Sequence, residues 1–122
     1  RMAGFEVNLA EYSIQKTNQS VDDLLNAMNE DPKKFGPWSL WNLALIGARG
    51  VDRERIFHNL VFFSHATDAS MRQHSTDALA KLGGAEAVPP LLDIAAHDQD
   101  LSVRERPFCG LAESGTLLLG ER

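Results

Sequence analysis

The sequence predicts an all-α protein built from about three similar helix pairs. Three observations predict this fold class: part of the chain repeats itself, apolar residues recur at helical spacing within each copy, and turn and capping residues stand between the helices. A single pair of helices cannot bury its apolar face alone. Consecutive pairs are therefore expected to stack on one another around a shared core.

The repeat is clearest when residues 60–83 are aligned with residues 92–115, an offset of 32 positions. Identical residues then pair throughout the segment: His65 with His97, Asp68 with Asp100, Ser70 with Ser102, Arg72 with Arg104, Leu79 with Leu111, Ala80 with Ala112, and Gly83 with Gly115. A third and more degenerate copy lies upstream at an offset of 36, and it pairs Leu43, Ala44 and Gly47 with Leu79, Ala80 and Gly83.

The repeat divides the chain into an amino-terminal part and a repeat domain. We expect residues 1–19 to be an arm or an incomplete preceding element, and residues 20–122 to form the repeat domain. The units of that domain are predicted at about 20–50, 52–84 and 85–115, with the start of a further unit at 116–122. In the arm, Phe5, Val7 and Leu9 alternate as in a strand, whereas Phe5, Leu9 and Tyr12 suit a helix, so both structures remain open.

Each unit is predicted to contain two helices with one apolar stripe each. The first unit begins with a capping-box-like Ser20-Val21-Asp22-Asp23, and its first stripe is Val21, Leu24, Leu25 and Met28. The stripes of the second unit are Ile56, Leu60 and Phe63, followed by Met71, Ser75, Ala78, Leu79 and Leu82. The first stripe of the third unit is Ala87, Val88, Leu91, Leu92 and Ala95.

Turn and capping residues predict where the helices of the third unit begin and end. The prolines at 89–90 fit the first turn of a helix, and residues 98–100 predict a turn. Ser102 is placed to cap the next helix, and Gly115 is placed to end it. Pro107 falls inside that helix, where it removes an N–H donor, so a local bend is expected there.

These features together resemble HEAT repeats, specifically the bacterial HEAT-like type named after phycobilisome lyases. The matching marks are an aspartate at the turn, a hydrophobic-Arg step, an alanine-rich second helix with a Leu-x-x-Gly-like end, and the AVPPLL run at 87–92. The resemblance covers residues 20–115 and implies a right-handed superhelix of antiparallel helix pairs, in which the second helices line the concave face. The chain departs from the pattern at Pro107 and at Gly36, which stands in place of the repeated arginine.

Composition and charge exclude several classes of function. A net charge of −5 and a pI near 5.3 oppose binding to nucleic acid, which requires clustered Lys and Arg. The single cysteine, Cys109, excludes an intramolecular disulfide and a Cys-based zinc cluster. No apolar run reaches the ~18–20 residues of a membrane span. A reducing, cytoplasmic location is favoured, although the Arg1-Met2 start leaves the compartment open.

No catalytic, cofactor or metal site is predicted. The four histidines lack the spacing that brings three ligands to one metal ion, and the chain has no nucleophile elbow, phosphate loop or dinucleotide fingerprint. Cys109 has no base nearby in the sequence and is expected to be a packed thiol. We therefore expect a protein that is not an enzyme and that carries no cofactor.

The recurring pairs of aspartate and arginine have two interpretations. They are Asp68 with Arg72 and Asp100 with Arg104, and each arginine follows its aspartate by four residues. A functional interpretation is a ladder that binds an acidic ligand. A structural interpretation is that each arginine braces an inter-helix turn through charge-assisted hydrogen bonds, and the recurrence of the pair with the repeat favours this second interpretation.

Trp38 and Trp41 are the best candidates for binding a partner. In the repeat alignment their columns lie off the buried stripe, and Trp is typical of interface hot spots. The alternative, slightly favoured, is that both tryptophans cap the open end of the stack against residues 1–19. The predicted concave surface consists of Trp38, Trp41, Gln73, His74, Asp77, Lys81, Glu105, Arg106 and Glu113.

The functional hypothesis is a non-catalytic scaffold or adaptor that binds another protein along the second helices. Two alternatives follow from the family resemblance: a subunit of a HEAT-repeat lyase or other enzyme complex, and a DNA-binding HEAT-like solenoid. The acidic charge of the chain disfavours the DNA-binding alternative.

Overall fold

The protein is seen in a computed structural model that describes residues 21–108. All regular structure in this range is helical, which confirms the predicted all-α class. The helices are α1 (21–30), α2 (Pro32–Ala48), α3 (Arg53–Phe63), α4 (Ala69–Leu82), α5 (Val88–His97) and α6 (Leu101–Arg104), with a 3₁₀ turn at Ala85–Ala87 before α5. The predictions for residues 1–20, Cys109, Glu113, Gly115 and residues 116–122 lie outside the described residues.

α4 is the central helix of the described structure. It contacts α2, α3, α5 and α6, and α2 also contacts α3. The core between these helices is built from aliphatic side chains of every helix, among them Met28, Leu43, Ile56, Leu60, Leu79, Leu91 and Val103. Burial of this apolar surface is the main favourable term in folding, so the helices owe their stability to packing more than to their individual lengths.

The apolar stripe of α5 differs from the predicted one. Leu92 was expected to lie on the stripe as the repeat equivalent of Leu60, but Leu92 is 50% exposed whereas Leu60 is fully buried. The buried residues of α5 are Leu91 and Ile94. A shift of one residue turns a helical side chain through about 100°. The packing therefore matches Leu91, not Leu92, with Leu60, and the offset of 32 does not extend to the first helices.

Aspartates stand at the N-cap position of four helices, α2, α3, α4 and α6. Asp31 and Asp68 cap α2 and α4 by accepting hydrogen bonds from the backbone N–H groups of Lys34 (3.2 Å) and Met71 (3.0 Å). Asp100 stands at the same position before α6, but its side chain makes no capping bond. The predicted cap, Ser102, lies inside α6, so that prediction was wrong. The N-cap position is set by where the turn ends, and the turn ends two residues earlier.

Pro107 interrupts the last helix, as its position predicts. α6 ends at Arg104, Glu105 forms a turn, and the chain is helical again at 106–108. Pro107 has no N–H to donate to the carbonyl of Val103, and the N–H of Phe108 instead donates to the carbonyl of Glu105 at 3.3 Å.

Two serines lie buried in α2 and α4. Ser39 and Ser75 are fully buried and occupy equivalent positions at the offset of 36. In the described part of the chain, their hydroxyl oxygens are the buried side-chain atoms without a hydrogen-bond partner. An unpaired buried hydroxyl costs desolvation energy with no compensating bond.

Replacing Ser75 by alanine is expected to stabilise the protein. Ser75→Ala removes the unpaired hydroxyl and raises helix propensity, so the free energy of unfolding should rise by about 1 kcal/mol in urea titrations. Thr76→Val is the control, because the neighbouring Thr76 hydroxyl donates to the carbonyl of Arg72 at 2.7 Å and its loss should give no gain. A Ser75→Ala protein that is less stable than the original would contradict the assignment of an unpaired hydroxyl.

Candidate functional site

Arg72 lies at the centre of the most extensive polar network. Its side chain projects from the first turn of α4, and the residue is only 5% exposed. Nη1 donates to the carbonyls of Ala66 (3.0 Å) and Thr67 (2.8 Å), which form the turn between α3 and α4. Nε donates to the buried carboxylate of Asp98 at 3.1 Å, and Nη2 donates to Asp100. The guanidinium therefore holds its own turn and the next turn together.

Arg104 repeats only part of this geometry. Its Nη1 donates to the carbonyl of Asp98 at 3.0 Å, six residues upstream, just as Arg72 donates to Ala66 six residues upstream. The offset of 32 relates both donors and both acceptors. In residues 21–108, however, no carboxylate pairs with Arg104, which is half-buried. Both arginines therefore donate to the turn before their own helix. Among the described residues, only Arg72 also donates to the turn of a following unit.

Asp68 does not pair with Arg72. It caps α4, and the carboxylates that bind Arg72 come from the next unit. All three nitrogens of the Arg72 guanidinium are engaged by protein groups. This arrangement leaves little hydrogen-bonding capacity for an acidic ligand and favours the structural interpretation of the ladder.

Arg53 forms a second network at the opposite end of α4, and sequence reasoning missed it. Its Nη1 donates to the carbonyls of Gly47 and Leu82, both at 3.2 Å, and its Nη2 donates to the carbonyl of Gly83 at 2.6 Å. These carbonyls belong to the last turns of α2 and α4, where a cation also favours the helix dipole. Gly83 and Gly84 both have positive φ, and they bring that backbone close to Arg53. The double glycine was the sequence feature that could have indicated this network.

Glu86 completes the Arg53 network. Its Oε1 accepts from Arg53 Nη2 at 2.7 Å, and this hydrogen bond lowers the pKa of the Glu86 carboxyl below its ordinary value. A third arginine, Arg55, bonds Asp22 of α1 and Asp52 before α3, each at 2.7 Å, and these bonds, that of Asp22 foremost, raise the pKa of Arg55. Ion pairs therefore connect α1 to α3 and α3 to the start of α5.

The structure brings part of the predicted partner surface together. Trp41 is 45% exposed, and the ammonium of Lys81 lies 5.6 Å from the centre of its ring. Lys81 belongs to α4 and Trp41 to α2, so this cation–π pair spans two second helices. Asp77 lies one turn before Lys81 on α4 and forms a bidentate ion pair with Arg106, in which Nε and Nη2 of the arginine donate to the two carboxylate oxygens at 2.9 and 2.6 Å. These four side chains form a polar-aromatic strip across α2, α4 and residues 106–108.

The remaining predicted surface residues are placed differently. Gln73 and His74 are half-buried on α4, and Glu105 is exposed in the turn after α6. Trp38 is 63% exposed and does not join the strip. It lines a separate cavity of about 340 Å³ with Asp23 and Leu24 of α1 and with Asn42 and Ile46 of α2. Trp38 and Trp41 stand three residues apart on α2 and so lie on one side of that helix, but only Trp41 joins the strip.

His65 and His97, which are paired in the sequence alignment at the offset of 32, line a cavity of about 440 Å³ at the ends of α3 and α5. His97 Nδ1 lies 3.1 Å from the carboxylate of Asp93. No group of three or more His, Cys, Asp or Glu residues suitable for a metal ion occurs in the range 21–108. None of the helices described is long and apolar enough to cross a membrane.

Comparison of the chain with models of known protein families, with curated proteins and with solved structures gave no significant match.

Removing Arg72 should strongly destabilise the protein. Arg72→Ala leaves the buried carboxylate of Asp98 without its cation, so the free energy of unfolding should fall by about 3–5 kcal/mol. Arg104→Ala is the matched control, since Arg104 has no carboxylate partner among the described residues and should cost about 1 kcal/mol. Urea unfolding followed by circular dichroism measures both. Equal losses in the two variants would show that Arg72 is no more important than its repeat equivalent.

The Arg53–Glu86 pair should make stability depend on pH in the acidic range. Because the folded-state pKa of Glu86 lies below 4.5, its contribution is fully present above pH 4.5 and is lost as the pH falls through the folded-state pKa. The difference in Tm between the original protein and Glu86→Gln should therefore be largest at neutral pH and should disappear in acid. The half-exposed position of Glu86 keeps the effect small. A difference that grows on acidification would contradict the pairing.

Proposed function

We propose that this chain is a HEAT-like helical repeat that acts as a non-catalytic scaffold, binding another protein along its second helices. The repeated contact of Arg72 and Arg104 with their own turns supports the repeat, since the same donor meets the same acceptor at an offset of 32. The contacts of α4 with both α2 and α6 also support it, because they are the neighbour contacts of a stack of helix pairs.

The observation that carries the functional proposal is the polar-aromatic strip of Trp41, Asp77, Lys81 and Arg106. Trp and Arg are the residues most enriched at interface hot spots, and here they are held in place before any partner arrives. Lys81 positions the Trp41 ring, and Asp77 positions the Arg106 guanidinium. Preorganised side chains lose less conformational freedom when they bind, which raises affinity without additional contacts.

The charge of the strip indicates the kind of partner. Two cations and one carboxylate flank one indole ring, and Glu105 is exposed beside Arg106. The whole chain carries a net charge of −5. A polyanion such as DNA would be repelled by this overall charge, whereas a protein surface of mixed polarity can match it. The proposed partner is therefore another protein.

The test compares two double variants, each of which removes one exposed aromatic ring and replaces one arginine by glutamate, at the strip in one variant and outside it in the other. Trp41→Ala with Arg106→Glu disrupts the strip, whereas Phe62→Ala with Arg49→Glu removes an exposed aromatic ring from α3 and an exposed arginine from the end of α2. A partner recovered with the original protein should bind the strip variant at least about tenfold more weakly and the control variant normally. Circular dichroism establishes that both variants are folded. Unchanged binding by the strip variant would refute the proposal.

A further inference from the structure

The last described helical residues, 101–108, carry exposed large apolar side chains. Leu101 and Arg104 stand three residues apart in α6 and so lie on one side of that helix, and Phe108 follows in the helical residues 106–108. Leu101 is exposed and Phe108 is 62% exposed, although both are large apolar residues. We call these three residues the carboxyl end face.

The same face of α4 shows what covers such a surface. At an offset of 32, the residues Ala69, Arg72 and Thr76 correspond to the carboxyl end face. Thr76 is fully buried, and α4 contacts both α5 and α6. Arg72 binds Asp98 and Asp100 across that contact. The contact between units thus includes an arginine that donates to carboxylates of the following turn, one helical turn before the buried Thr76.

The opposite end of the molecule offers the complementary chemistry. Asp31 is the N-cap of α2, as Asp100 is the N-cap of α6, and it is exposed. One carboxylate oxygen of Asp31 accepts the capping bond, and the other has no partner in the described structure. Trp38 borders the apolar-lined cavity between α1 and α2. We call Asp31, Trp38 and this cavity the amino end face.

We propose that this chain associates head to tail, with the carboxyl end face of one copy docked on the amino end face of a second copy. In this assembly Asp31 of the second copy binds Arg104 in the way that Asp100 binds Arg72 within the chain, and Phe108 packs against Trp38 at the cavity between α1 and α2. A second copy is the occupant because it provides both a carboxylate for Arg104, which pairs with none among residues 21–108, and an apolar surface for Phe108. The contact joins two different faces, so it can propagate into longer oligomers. It does not involve the polar-aromatic strip and stands independently of the proposed function.

Mixing two singly blocked variants tests this inference. Phe108→Asp blocks the carboxyl end face, and Trp38→Asp blocks the amino end face. Each variant alone should be a monomer near 13.5 kDa by sedimentation velocity and light scattering. An equimolar mixture should form a dimer, because each variant retains the face that the other has lost. The original protein should show a mass that rises with concentration.

Two further variants test the chemistry of the contact. Arg104→Asp should weaken self-association about tenfold, and adding a second protein with Asp31→Arg should restore association between the two variants. Phe62→Asp, an exposed position on α3 away from both end faces, should associate as the original protein does.

Three results would overturn the proposal. An original protein that stays monomeric at all concentrations would mean that other residues of the same chain, or a different protein, cover the end faces. Association of the Trp38→Asp variant with itself would indicate a symmetric dimer through the carboxyl end face. A mixture of the Phe108→Asp and Trp38→Asp proteins that remains monomeric would rule out the head-to-tail contact.

Discussion

The burial of Arg72 is the constraint on which the described structure depends. A guanidinium that is 5% exposed must find acceptors for its donors inside the protein. Ala66 and Thr67 supply two carbonyls from the turn before α4, and Asp98 and Asp100 supply carboxylates from the turn before α6. Since all of these groups must meet at one place, the positions of the two turns are fixed relative to α4, and the packing of α5 and α6 follows.

Arg53 gives α4 a corresponding anchor at its other end. Its guanidinium donates hydrogen bonds to the last carbonyls of α2 and α4 and to Glu86, so the carboxyl ends of the two helices share one cation. Between these two arginines the helices meet through small or aliphatic side chains, and Gly36 and Gly47 allow Met71 and Leu82 to approach the backbone of α2. Polar networks at both ends thus set the register of α2 and α4, and apolar packing between them provides the stability.

Much of the local structure could be predicted from the sequence, but the partners of its charged residues could not. The recurring aspartate and arginine pointed to the inter-helix turn, and Arg72 lies at that turn, yet its carboxylate partners are 26 and 28 residues away. Arg53 stands in a run of charges that is typical of an exposed helix start, and the run gives no sign that α2 and α4 end beside it. Of the predicted surface, Trp41 and Lys81 lie together, whereas Trp38 lines a cavity between α1 and α2.

The sequence by itself determined the all-α class, the turn at residues 98–100 and the interruption before Pro107, because helix propensity, turn residues and the missing N–H of proline act within a few residues. The tertiary structure alone decided that Leu92 is exposed although it was expected on the buried stripe, that Asp100 binds Arg72 in addition to standing at the start of α6, and that Trp41, and not Trp38, pairs with Lys81. These outcomes depend on how neighbouring helices are rotated and how deeply they pack, which a repeat alignment does not record.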